Sequence, residues 1–168
     1  MNRYQRDAFC CCRATMYQRV LNLLAPLLVL CSIVILLGFW KQIPDVIPTH
    51  YTFSGEVDGY GGKGTLWLMP AFGVAGEGML FLLGCFPQWW NVNIPITERN
   101  RGAVYTALRD LMAEFHFCMA LLFSTLSLPE QLLPRTMTLW VILALTTLMF
   151  VPVVRLLVRL NRIKKTMD

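Results

Sequence analysis

His50, Glu56, Asp58 and Lys63 stand close together in the stretch IPTHYTFSGEVDGYGGKGT, which runs from Ile47 to Thr65. An imidazole and two carboxylates form a donor set suited to zinc or a similar divalent ion. The three donors lie on an irregular segment, however, and nothing in their spacing makes them converge. A hydrogen-bonded loop is the better expectation, with His50 capping backbone groups and Glu56 or Asp58 paired with Lys63. An EF-hand is excluded, because the segment lacks the further acids and the terminal Glu of that motif. No metal or other cofactor is expected.

A second set of polar residues lies in apolar sequence. Glu77 falls near the middle of the run from Leu66 to Phe86, and Glu114 and His116 fall near the start of the run from Leu111 to Leu128. A carboxylate deep in hydrocarbon costs at least a few kcal/mol, so it must be protonated, partnered or wetted. A Glu77–His116 pair needs roughly 5–6 Å of axial reach on a simple count of helical rise, about the limit of two side chains. A structural hydrogen bond is favoured over transport, since one acid makes a poor relay. Catalysis finds no support: G-x-S-x-G, H-E-x-x-H and P-loop patterns are missing, and His116 and Cys118, two apart on a helix, point in different directions. The chain is read as a non-enzyme.

These residues need elements to hold them, and the composition says which. Of the 168 residues 56% are hydrophobic and 15% charged, where soluble domains average about 25% charged. Four apolar stretches, about 20–40, 66–86, 111–128 and 137–158, each have the roughly 17–25 residues that a helix needs to cross a bilayer. The expected fold is an all-α membrane protein: four transmembrane helices in one bundle, a single domain over 1–168, with an ordered extracytoplasmic loop between helices 1 and 2. The first stretch runs on into Gly38, Phe39, Trp40 and Lys41 and so does not read as a cleaved signal peptide. Small residues at Ala71, Gly73, Ala75, Gly76 and Gly78 predict that helix 2 is the packing centre. Pro26, Pro70 and Pro152 should bend or start their helices.

Cations set the orientation. Arg3, Arg6, Arg13, Arg19, Arg99, Arg101, Arg109, Arg155, Arg159, Arg162, Lys164 and Lys165 fall on one side, against Lys41, Lys63 and Arg135 on the other. Both termini are therefore expected in the cytoplasm and the 47–65 segment outside. Trp40 and Trp67 flank that segment as outer anchors, and Trp89 and Trp90 follow helix 2 on the inner side. The net charge of +5 is concentrated beside the membrane, where anionic headgroups attract each cation by about 1 kcal/mol. Lipid, rather than nucleic acid, is the expected partner, and Arg155, Arg159 and Arg162 read as a basic stripe leaving the bilayer. Cys10, Cys11 and Cys12 precede helix 1 on the reducing side, and Cys31, Cys85 and Cys118 lie in helices. Ordinary reduced thiols are expected, with palmitoylation or a redox role as the alternatives.

Within the outer segment, Pro44 and Pro48 favour extended backbone, Asp58-Gly59 reads as a turn, and Gly61, Gly62 and Gly64 offer free backbone angles. The run Ile47-Pro48-Thr49-His50-Tyr51, then Ser54-Gly55-Glu56-Val57-Asp58-Gly59-Tyr60-Gly61-Gly62-Lys63, resembles the signature of the bacterial membrane family built on domain of unknown function 1648. Asn93-x-Pro95-Ile96-Thr97-Glu98-x-Asn100, followed by Tyr105 and Arg109, is similar to the cytoplasmic connection of its small four-helix members. The resemblance implies a bacterial cytoplasmic membrane. Through the SdpI-like relatives it implies immunity to a secreted toxic peptide, or signalling of its presence. Pro48, Thr49, His50, Gly55, Glu56, Asp58, Gly59 and Lys63 would form the recognition surface. The expected function is non-enzymatic sensing or immunity through the segment 44–65, with an extracellular peptide or a membrane protein as partner. A proton- or cation-coupled carrier using Glu77 and a structural subunit of a larger complex are the alternatives, and homo-oligomerisation stays open.

Overall fold

The structure, a computed structural model, describes residues 14–52, 54, 56–86, 89–90, 92, 94–129 and 135–166, with backbone alone for 135–139. Cys10, Cys11, Cys12, Arg3, Arg6, Arg13, Phe53, Gly55 and Asn93 lie outside the described residues, as does the side chain of Arg135.

Helix α1, Met16–Phe39, begins with a capping box. Thr15 Oγ1 accepts from the Gln18 backbone N–H at 3.2 Å, and Gln18 Oε1 accepts from the Thr15 N–H at 3.1 Å. Two of the orphan donors of the first turn are thereby satisfied. Its buried stripe is Ala25, Val29, Ser32 and Leu36, while Leu23, Leu27, Leu30, Val34 and Leu37 face outward. Small side chains inside and large apolar ones outside suit a helix whose solvent is lipid.

Strands β1, Val46–Tyr51, and β2, Val57–Gly62, follow as an antiparallel hairpin. This departs from the all-α expectation. The short strands are hard to see in sequence because glycines at 59, 61 and 62 hide the alternation of side chains on which strand recognition rests. A 3-10 turn, Lys63–Trp67, leads into α2, Leu68–Cys85. Among its described residues α2 buries only Pro70 and Gly73.

The packing centre is α3, Arg101–Leu126, not the helix rich in small residues. It buries Val104, Ala107, Ala113, His116, Cys118 and Ala120 along several faces, and α1, α2, α4 and α5 all pack against it. It starts ten residues before the expected apolar stretch, and its first turns carry the buried Val104, Tyr105 and Leu108 as well as the charged Asp110. The connection before it is held by its own hydrogen bonds. Asn100 Oδ1 accepts from the Thr97 N–H at 2.7 Å, and Asn100 Nδ2 donates to the Pro95 carbonyl at 2.9 Å. The Trp90 indole donates to the Leu83 carbonyl at 2.8 Å. Val104, Tyr105 and Leu108 form a cluster there with Trp90, Ile94, Ile96, Leu156 and Leu160.

The last apolar stretch is two helices, α4, Arg135–Leu148, and α5, Phe150–Lys165. Pro152 has no N–H for the Leu148 carbonyl, and its ring crowds that carbonyl, which accounts for the interruption at Met149.

The fold is mostly helical with one small hairpin. Three stretches among the described residues are long and apolar enough to cross a bilayer: Met16–Phe39, Lys63–Cys85 and Trp140–Lys165. The four expected spans are therefore matched in three cases. Helix α3 falls short because Arg101, Arg109, Asp110 and Glu114 interrupt its apolar character. Those charges matter for the site.

Candidate functional site

Asp110 and Glu114, one helical turn apart on α3, meet Arg159 and Arg155, one turn apart on α5. Arg155 Nη1 lies 2.6 Å from Glu114 Oε1, and Arg159 Nη1 contacts Asp110 Oδ2. Each acid also takes a donor from α1: the Gln18 amide reaches Asp110 Oδ1 at 2.7 Å and the Tyr17 hydroxyl reaches Glu114 Oε1 at 2.9 Å. The i, i+4 spacing on both antiparallel helices keeps the two pairs in register. Arg155 and Arg159 of the basic stripe thus meet buried carboxylates of α3 while their side chains stay 46% and 41% exposed. Arg162 alone of that stripe is left without an ion pair among the described residues.

Deeper along α3, His116 makes the contact expected of it. Its Nε2 lies 2.5 Å from Glu77 Oε2, and its Nδ1 lies 3.2 Å from Asn22 Oδ1. The Glu77 and His116 side chains are 13% and 11% exposed. Neither Glu77 oxygen nor Nε2 has an aligned hydrogen bond among the described residues, so the approach is one of charge or of a shared proton. Helix α2 comes this close because Gly73 and Gly76 face the bundle. A Cβ at Gly73 would lie 3.3 Å from Phe123 Cβ, and one at Gly76 would lie 3.3 Å from Met119 Cε. Glu114, the other polar residue expected in this part of α3, is tied to Arg155 and Tyr17.

The hairpin is more ordered than the irregular loop expected from sequence. Val46 pairs with Gly62, Ile47 with Gly61, Pro48 with Tyr60, His50 with Gly59 and Tyr51 with Val57. Asp58-Gly59 is thus inside a strand, and the turn lies between Thr52 and Glu56, where the Thr52 N–H donates to the Glu56 carbonyl at 2.9 Å. Gly59 and Gly61 provide space, not unusual angles: a Cβ at Gly59 would meet His50 Cβ at 2.9 Å, and one at Gly61 would meet Thr49 Cγ2 at 2.8 Å.

Two ion pairs replace the expected ones. His50 Nδ1 is 2.5 Å from Asp58 Oδ1, and Lys63 Nζ is 2.8 Å from Asp45 Oδ1. The Lys63 ammonium, bonded to Asp45 and close to it, holds that carboxyl below its ordinary value. Lys63 also lies over the Trp40 ring, 5.3 Å from its centroid, and Trp40 packs on Trp67 at 5.8 Å. The base of the hairpin is therefore clamped to the ends of α1 and α2. Glu56 is exposed at the turn and does not join His50 and Asp58. No group of three or more His, Cys, Asp or Glu side chains that could hold a metal occurs among the described residues. Cys31, Cys85 and Cys118 are free thiols.

Signals for the Asp110 and Glu114 pairs were present in sequence as matched i, i+4 spacings, but spacing does not say which helix faces which.

No solved structure matches the chain. An uncharacterised protein of Archaeoglobus fulgidus is 30% identical over 93 residues, covering 51% of this chain and 50% of that one. The chain thus spans about half the length of the curated relative it matches. Residues 27–74 match the family described as Domain of unknown function (DUF1648). That segment runs from mid-α1 through the whole hairpin into α2, and stops just short of Glu77. Residues 27–74 of this helical membrane protein are thus similar to the DUF1648 domain.

Proposed function

We propose that the chain is a non-enzymatic recognition protein of the cytoplasmic membrane, crossing it four times with both termini inside and presenting the hairpin outside to a peptide or a membrane protein. The fourth crossing is α3, whose charges are sheltered by partners from α1 and α5. The single observation that carries the reading is the form of the hairpin. It is an antiparallel pair with register shifts at Thr49 and Asp58, clamped at its base by Asp45, Lys63, Trp40 and Trp67, and exposed above at Thr49, His50, Asp58 and Tyr60. A pre-formed surface loses less conformational entropy on binding than a flexible loop. Sensing of, or immunity to, a secreted toxic peptide is the activity such a surface would serve.

Replacing His50, Glu56 and Asp58 together should abolish protection or signalling while membrane abundance stays unchanged. Full activity of that variant removes the proposal. The buried contact between Glu77 and His116 favours a second reading, a proton- or cation-coupled carrier. Flux into liposomes that Glu77→Gln suppresses would support it, and absence of flux would end it.

A further inference from the structure

We infer that Glu77, His116 and Asn22 form a binding site for one proton inside the bundle, whether or not anything is carried across the membrane. The argument begins at Asn22, whose amide oxygen is 3.2 Å from His116 Nδ1. An amide oxygen only accepts, so Nδ1 carries its hydrogen, and a neutral ring then has a bare lone pair on Nε2. That lone pair is 2.5 Å from Glu77 Oε2. With the carboxylate ionised and the ring neutral, a full negative charge and an unprotonated ring nitrogen would lie 2.5 Å apart in an apolar setting. One proton between them removes the conflict, either as carboxylic acid against imidazole or as carboxylate against imidazolium. The two atoms thus share one proton, and their titrations belong to the pair.

The surroundings leave the pair to itself. On α3, Asp110 and Glu114 are occupied by Arg159 and Arg155, with Gln18 and Tyr17 from α1. Cys118 is a buried free thiol on α3, and Arg19 and Cys31 on α1 are exposed. Arg109, also on α3, is half-buried. The α2 face turned toward the bundle offers glycines at 73 and 76 and no second polar group beside Glu77. Loss of the proton would leave an ionised carboxylate with no ion pair at the α2 contact among the described residues other than His116 itself. Since α2 buries so little else, it should weaken the attachment of α2 to α3.

The test is a pH titration of the full chain in lipid nanodiscs by nuclear magnetic resonance, with histidine ring nitrogens and glutamate side-chain carboxyl carbons labelled. The chain has two histidines, so the spectrum of His50→Gln assigns both. The expected result is that Nδ1 of His116 stays protonated throughout, while its Nε2 and the Glu77 carboxyl change together with a common midpoint. Glu77→Gln should shift the His116 midpoint by about one pH unit or more and leave that of His50 in place. Independent titration of Glu77 and His116, or a His116 midpoint indifferent to Glu77→Gln, overturns the site. Should Glu77→Gln fail to fold, the titration of the unsubstituted chain decides alone. Failure of the flux assay would leave this site standing, because binding a proton does not require moving it across.

Discussion

At Gly59 the hairpin has no room for a methyl group, since the added carbon would lie 2.9 Å from His50 Cβ. Directly opposed side chains in a sheet normally keep their Cβ atoms about 4.5–5.5 Å apart. Gly59→Ala should therefore force the strands apart and free His50 from Asp58. Gly64→Ala meets nothing within 4 Å and is the matched control. Limited proteolysis in the turn at 52–56 should accelerate several-fold in the first variant and hold steady in the second. Equal cleavage of the two would show that the close approach does not constrain the hairpin. The identities His50, Asp58 and Lys63 were legible as polar loop residues, but their partners were not. Nearness in sequence suggested Asp58 with Lys63, whereas the strand register turns Asp58 toward His50 and leaves Lys63 beside Asp45 at the base.

Among the elements, α3 and α5 are joined by two ion pairs. Removing a guanidinium leaves a buried carboxylate short of its counter-charge, which costs about 2 kcal/mol or more for a charged group. Arg159→Gln should lower the unfolding midpoint of the detergent-solubilised protein, and Arg155→Gln should do so by a similar mechanism through Glu114. The exchange Asp110→Arg with Arg159→Asp restores opposite charges across the same gap and should recover much of the loss. No recovery would mean that the pair is incidental to how α3 packs. Removal of Arg162, which has no ion pair among the described residues, should change the midpoint little. Sequence spacing put Arg155, Arg159 and Arg162 on one face of a helix. It did not reveal that Arg155 and Arg159 reach Glu114 and Asp110 on α3, because that depends on the rotation of α5 about its own axis.

For the whole molecule, the proposed path through the membrane is open to a direct measurement. A cysteine placed at Thr49 should react with an impermeant maleimide applied to intact cells, and one placed at Lys165 should react only after the membrane is opened. Labelling of both from outside would contradict an even number of crossings. The amino-acid sequence by itself marked the chain as a membrane protein through its long apolar runs, and those runs overlap α1, α2 and the pair α4 and α5. It also marked Glu77 and His116 as partners in reach, from helical rise alone. Only the tertiary structure decided that α3 is the centre of the bundle, that the segment between α1 and α2 is a paired hairpin, and that Arg155 and Arg159 meet acids of α3. Each of those depends on contacts between residues far apart in the chain, where local periodicity carries no information about which surfaces meet.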